Sequence, residues 1–287
     1  TGGASGNGKA LAMAFASEGA RIALVDIQNC EDTAKDISVS VTKGVDTAIP
    51  HPSCMSHLLS FTCDVTNPRQ VRAMIQQVKQ QWQRIDIYCS NAGIIFPLIS
   101  ATDGMDNDTV ARHSDDQWTR ILKVHVQSHV MAVRELLPDW ERGQGDGIFV
   151  LTASAAGLLT QIGDASYGVS KAAAISLAEH MAISHPTIQV HCLCPQAVDT
   201  PLVRAGPPNN SALTDGMVTP ELVAECTLQA ILHGSFWIFP HPTVPEYYRR
   251  KTTDHSRWIK GMQRLRLRLR QDSQKKQLAA THQPSKL

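Results

Sequence analysis

No stretch of this 287-residue sequence stays apolar over the ~20 residues that a helix needs to cross a bilayer, and no secretory signal sequence opens it. A membrane-spanning helix is therefore not expected. Nor is there an excess of one charge sign: 27 Lys and Arg stand against 26 Asp and Glu, a net charge of +1, so nothing marks a nucleic-acid partner. Cysteine lacks the even, clustered pattern of a disulfide framework. The seven residues Cys30, Cys54, Cys63, Cys89, Cys192, Cys194 and Cys226 are scattered and mostly set in apolar runs, which predicts reduced thiols in a core. Cys192 and Cys194 fall on one face of an expected strand and read as packing. His51, Cys54 and His57 sit in a Pro-rich loop whose spacing gives zinc little support, so no metal is expected. Also missing are an initiating methionine and any strand ahead of the first glycine turn.

What is present is an alternation of strands and helices. Thr1-Gly2-Gly3-Ala4-Ser5-Gly6-Asn7-Gly8 runs directly into a helical pattern that ends near Gly19. Glycines allow a backbone to approach a pyrophosphate, and the free amides at a helix N-terminus attract its charge. Arg21–Val25 reads as a buried strand ending in Asp26, an acid that can accept from both ribose hydroxyls and would repel a 2′-phosphate. NAD is favoured over NADP on that ground.

Residues 28–37 are expected to be helical and 38–56 to form a surface loop; strands follow at 58–63, closed by Asp64-Val65, and at 85–90, ending in the small-residue turn Asn91-Ala92-Gly93. Between them Val71, Met74, Ile75, Val78 and Trp82 form one apolar stripe of a helix. A loop is expected at 100–116 and a single long helix from about Asp115 to Leu137. Further strands are expected at 147–151, 188–193 and 236–239. Such alternation predicts an α/β fold: a doubly wound parallel sheet with helices on both faces, binding ligands at the carboxyl ends of its strands.

The stretch from Ser154 to Lys171 falls at such an end. Tyr167 and Lys171 are four apart, on one helix face, which brings an ammonium near a phenol. A free tyrosine ionises near a pKa of roughly 10, and a neighbouring cation should move it toward the working range of a general acid or base. Ser154 is placed to steady a reacting oxygen.

Taken together, the glycine turn, Asp26, Asp64-Val65, Asn91-Ala92-Gly93, Ser154 and Tyr167-Gly168-Val169-Ser170-Lys171 resemble the short-chain dehydrogenase/reductase family, from Thr1 to about Pro242. The resemblance implies a Rossmann-type fold, hydride transfer between a nicotinamide and a secondary alcohol or ketone, and a homodimer or homotetramer. It implies that Tyr167 exchanges the proton, Lys171 lowers its pKa and holds the nicotinamide ribose, and Ser154 orients the substrate. Gly2, Ser5, Gly6, Asn7 and Gly8 would surround the pyrophosphate, and Asp26 with Ile27 would hold the adenosine ribose. Asp64 and Val65 would flank the adenine, Asn91, Ala92 and Gly93 would lie beneath the ribose, and Val198 and Thr200 would meet the carboxamide. His125 stands where the family commonly has an asparagine that helps hold a relay water, and could take that job, titrate near neutrality, or simply pack. Gln196 replaces the glycine that usually follows Pro195. The family's first, central strand should precede Thr1, and without it the sheet should have a slot in its middle. A nucleotide-binding sensor or scaffold without catalysis is the competing reading.

The division expected is a catalytic domain at 1–245 and a basic extension at 246–287. In that extension Leu265, Leu267 and Leu269 alternate with arginines, which is not an amphipathic helix pattern. The plainer reading is a solvated, helical or disordered extension; attraction to anionic ligands or surfaces is the sharper one. Ser285-Lys286-Leu287 matches a peroxisomal import address, which implies an import receptor as partner and a peroxisomal location in a eukaryote, a cytoplasmic one otherwise.

Overall fold

A computed structural model of the chain describes residues 1–43, 57–96, 110–143, 146–205 and 211–281. The expected metal-poor loop with His51 and Cys54, and the Ser285-Lys286-Leu287 terminus, lie outside them. Strands β1 (Ile22–Asp26), β2 (Leu58–Thr62), β3 (Ile87–Ser90), β4 (Ile148–Thr152), β5 (Gln189–Leu193) and β6 (Trp237–Ile238) are all parallel. The helices of the first half are α1 (Gly6–Ser17), α2 (Glu31–Lys43), α3 (Pro68–Trp82), α4 (Asp115–Leu122) and α5 (Ser128–Arg142). Those of the second are α6 (Ala155–Leu159), α7 (Ala165–Ser184), α8 (Pro201–Arg204), α9 (Pro220–His233), α10 (Thr243–Thr253) and α11 (His255–Thr281).

The sheet is in two pieces, β1-β2 and β3-β4-β5-β6. Between β1 and β3 lies a cavity of about 390 Å³, walled by Leu24 and Val25 on one side, Tyr88 and Cys89 on the other, and Leu11 and Met74 from the flanking helices. This is the slot expected in the middle of the sheet. Helices cover both faces: α1, α2 and α9 one, α3, α5 and α7 the other. Parallel strands buried on both faces need apolar side chains at successive positions, and β4 supplies them with Phe149, Val150 and Leu151, each fully buried. Each such side chain contributes roughly 1.5–3 kcal/mol. The stripe of α3 is buried as expected, and Asn67 caps that helix by accepting from Arg69 N and Gln70 N.

Three expectations about the elements need correction. The single long helix is interrupted: a capping box of Ser114 and Gln117 starts α4, and a π-helical turn, Lys123–Gln127, separates it from α5. There the Ser128 hydroxyl donates back to Val124 O at 2.5 Å, and the wider turn re-aims the side chains around His125. The helix expected from residue 28 begins at Glu31, whose amide is taken by Asn29 Oδ1, and runs on to Lys43, past the residue where a loop was expected.

The third correction concerns the basic extension, which is not a separate tail. Its expected boundary at 245/246 cuts through α10, whose Val244 is fully buried and whose Tyr248 packs on the main core. The continuing α11 turns Met262, Leu265 and Leu269 inward at helical spacing despite the alternating arginines. No helix among the described residues is long and apolar enough to cross a membrane.

Candidate active site

All the singled-out residues gather at the carboxyl ends of the strands. The glycine turn folds back on itself so tightly that a Cβ on Gly8 would lie 2.0 Å from Gly2 O. Only glycine fits there. Ser5 stands at the N-cap of α1 without a side-chain capping bond, the first turn holds no acid, and the buried Asn7 Oδ1 has no partner. The acid-free helix N-terminus suits an anionic ligand, while the Asn7 Oδ1, an acceptor, suits a ligand hydroxyl or N–H. Asp26, at the end of β1, is fixed by two amides, Ala4 N to Oδ2 at 3.0 Å and Gln28 N to Oδ1 at 2.9 Å. Its neighbour Ile27 is 66% exposed and free to cover a ligand only from outside. Asp64 holds its own turn, accepting from Thr66 N and Thr66 Oγ1, with Val65 beside it.

Asn91 is committed within the protein. Its Nδ2 donates to Thr1 O and its Oδ1 accepts from Thr152 Oγ1, while Thr1 Oγ1 accepts from the amides of Asn91 and Ala92. This latch joins the glycine turn to the ends of β3 and β4. Thr1 and Thr152 were not anticipated as site residues, because isolated threonines carry no spacing signal. Thr200 caps α8 and lies against the turn, where a Cβ on Gly6 would come within 3.0 Å of Thr200 Cγ2. Val198, two residues earlier, is buried and bridges to Val218.

The reactive group is assembled by α6 and α7. Ser154 lies two residues beyond β4 and caps α6: its Oγ accepts from Ala156 N and donates to Pro195 O at 3.3 Å. Gly157 lets α6 press on α7, since a Cβ there would meet the Lys171 carbonyl carbon at 2.6 Å. Asp164 starts α7 by accepting Tyr167 N, and Lys171, one turn beyond, donates from Nζ to Thr152 O at 2.8 Å while lying 5.8 Å from the Tyr167 ring centre.

The acidities differ from the simple expectation. Burial pushes Tyr167 up to about 12, and it is the Ser154 hydroxyl, not Lys171, that opposes the rise. Lys171 is itself drawn down to about 8 by burial. The reason is geometric. The ammonium lies over the ring and donates to the Thr152 carbonyl, and burial makes its proton easier to lose.

His125 is fully buried. Ile94 N donates to its Nε2 at 3.0 Å, which places the ring proton on Nδ1, 2.9 Å from Ser170 Oγ; Ser170 in turn donates to Tyr167 O. The ring meets Tyr167 edge-on at 5.5 Å. Burial, with Lys171 and His129 adding positive charge, holds it neutral well below the usual imidazole range. Titration near neutrality, one of the roles expected for it, is therefore excluded. Cys192 and Cys194 lie on one face, Sγ to Sγ 3.8 Å, beneath Lys171.

Beside Ser154 and Tyr167 opens a second cavity, of about 310 Å³. Gln196 lines it and knits its rim, donating from Nε2 to Ala212 O and to Asp215 Oδ2, which also takes the Tyr247 hydroxyl through Oδ1. A glycine at that position could make neither bond.

The chain matches the family model for short chain dehydrogenases over residues 1–210. It belongs to that family. The 1-deoxy-11-beta-hydroxypentalenate dehydrogenase of Streptomyces arenae is 26% identical over 252 residues, 85% of this chain and 82% of that protein. Among solved structures, a short-chain dehydrogenase/reductase from Burkholderia phymatum in complex with NAD aligns with a TM-score of 0.70 at 24% identity, over 89% of this chain and 92% of that one. A short-chain dehydrogenase from Sphingobium yanoikuyae in complex with NADPH aligns at 0.67 and 19%, over 91% and 92%. These likenesses establish the Rossmann-type fold for this member of the short-chain dehydrogenases.

Proposed function

We propose that this short-chain dehydrogenase interconverts a secondary alcohol and a ketone with NAD, Tyr167 serving as general acid and base. The observation that carries the reading is the enclosed Ser154, Tyr167 and Lys171 group at the edge of an apolar cavity. A phenol pushed up to about 12 stays protonated through the ordinary pH range, so Tyr167 is ready to give a proton to a ketone oxygen. In the reverse direction it must accept one, and the Ser154 hydroxyl then stabilises the phenolate. That single O–H, turned away from Pro195 O, serves either the phenolate or the substrate oxygen at a given moment. His125, through Ser170, fixes the backbone turn that carries Tyr167.

A bound nicotinamide would supply or accept the hydride. The residues present fit such a dinucleotide: the acid-free first turn of α1, whose glycines let a phosphate approach the backbone, and an Asp26 carboxylate already oriented by two amides. Gly2, Ser5, Gly6, Asn7 and Gly8 would hold the pyrophosphate, Asp26 and Ile27 the adenosine ribose, and Asp64 and Val65 the adenine. Asn91, Ala92, Gly93 and Lys171 would hold the second ribose, and Val198 and Thr200 the carboxamide. Asp26 supports NAD over NADP by charge repulsion of a 2′-phosphate.

The reading is tested by mixing the full chain with NAD and a panel of secondary alcohols and following NADH absorbance. Turnover that needs Tyr167 is expected. Tight NAD binding with no turnover on any alcohol would favour a nucleotide-binding protein without catalysis.

A further inference from the structure

We propose that α10 and α11 form the substrate-recognition element, and that the substrate is a hydroxy or keto carboxylic acid with an apolar body. This rests on the alcohol–ketone reading of the same site. The 310 Å³ cavity has room for on the order of ten non-hydrogen atoms at about 30 Å³ each. Its wall runs from Ser154 and Tyr167 to the C-terminal helices, and Leu159, Leu202, Met262 and Leu265 make much of it apolar.

The C-terminal helices contribute two groups that can only donate. The Trp258 Nε1 is buried and has no partner, and Arg250 reaches the same wall with a side chain 59% exposed. A buried N–H without an acceptor is disfavoured, and a ligand oxygen relieves it.

The local charges favour an anion. Glu246 accepts from Arg250 Nε at 2.7 Å and from Arg249 Nε and Nη2 at 2.8 and 2.9 Å, so one carboxylate faces two guanidinium groups and one positive charge is left over. Asp215, held by the neutral donors Gln196, Tyr247 and Thr243, keeps its negative charge, which the ammonium of Lys251 offsets, so the excess of one positive charge stands. Lys251 is engaged too, donating to Leu158 O at 2.5 Å and Thr160 Oγ1 at 3.2 Å.

Those two Lys251 bonds also fix the geometry. They tie α10 to the C-terminal end of α6, the helix that Ser154 caps. The groups that grip one end of a substrate are thereby held in register with the groups that react at the other. An exposed guanidinium at the mouth leaves the carboxylate partly in water, while the apolar body fills the interior.

The test uses the full chain with NAD and four probes: 2-nonanol, 6-hydroxyheptanoate, 8-hydroxynonanoate and methyl 8-hydroxynonanoate. At least one acid should exceed 2-nonanol in kcat/KM by about tenfold, and 8-hydroxynonanoate should exceed its ester. In Arg250→Leu the acid-to-alcohol ratio should collapse toward one through KM. Calorimetry with nonanoate, which cannot react, should give binding that weakens about tenfold in Arg250→Leu and in Trp258→Phe. Turnover of 2-nonanol with no preference for either acid, or a preference that survives in Arg250→Leu, overturns this inference and leaves the oxidoreductase reading standing. No turnover of any probe, with nonanoate binding unaffected by either substitution, overturns both.

Discussion

Acidification should destabilise this protein through the histidines behind its catalytic helix. His125 and His129 are fully buried, and both are held neutral far below the ordinary imidazole range: burial is the largest cause for each, with Lys171 next, and His129 is drawn to about 3. In the unfolded chain each would titrate near 6.5. Because the folded pKa values are the lower ones, the unfolded state takes up protons first as pH falls. Stability from these groups is complete above about 6.5 and is lost below it, at about 1.4 kcal/mol per group per pH unit. Moving from about pH 7.5 to about pH 5.5 should therefore remove about 2.8 kcal/mol for the pair, a Tm drop on the order of 5–10 °C. His113, His191 and His241 are lowered by burial as well and act in the same direction. The assay is thermal or urea unfolding at the two pH values. His129→Phe, which deletes one titrating group, should lose less on acidification than the parent by about 1.4 kcal/mol, whatever its absolute stability. Equal Tm values at the two pH values, or an undiminished loss in the variant, would refute the reasoning.

Three further outcomes are expected. Asp26→Ala should shrink the NAD-to-NADP ratio of kcat/KM by at least about tenfold, equivalent to ~1.4 kcal/mol; steady-state kinetics with both cofactors check this, and an unchanged ratio counts against the ribose assignment. Gly8→Ala puts a methyl 2.0 Å from Gly2 O, so NAD affinity measured by calorimetry should fall more than about tenfold, and full retention would contradict the tight turn. Because Lys171 sits at about 8, ketone reduction should hold steady below that pH and decline above it as the ammonium is lost. Lys171→Met should remove the break, and a break that persists in the variant would assign it elsewhere.

Much of this arrangement was legible from residue order. Parallel strands buried on both faces are rich in apolar residues, so strands could be read at 147–151 and 188–193, within a residue of the observed Ile148–Thr152 and Gln189–Leu193. The four-residue spacing of Tyr167 and Lys171 fixed their shared helix face, and a glycine turn opening a helix could be read as an anion site. Other features depend on contacts distant in sequence. The direction of the Tyr167 shift follows from how deeply α6 and α7 enclose the phenol, which spacing does not reveal. The role of Gln196 needs Ala212 and Asp215 brought alongside it. In α11 the arginines between Leu265, Leu267 and Leu269 suggested alternation, whereas the partly buried Met262, Leu265 and Leu269 lie at helical spacing and Leu267 is exposed. The π turn at Lys123–Gln127 has no compositional mark at all.

The central claim is hydride transfer managed by Tyr167, and isotope transfer tests it most directly. The full chain would be incubated with NAD and 2-nonanol deuterated at the carbinol carbon, and the nicotinamide product analysed by mass spectrometry. The account predicts one deuterium in the reduced cofactor, and in Tyr167→Phe a transfer rate at least about a hundredfold lower with NAD still bound. Deuterium absent from the cofactor, or carried over at an undiminished rate by Tyr167→Phe, would contradict it.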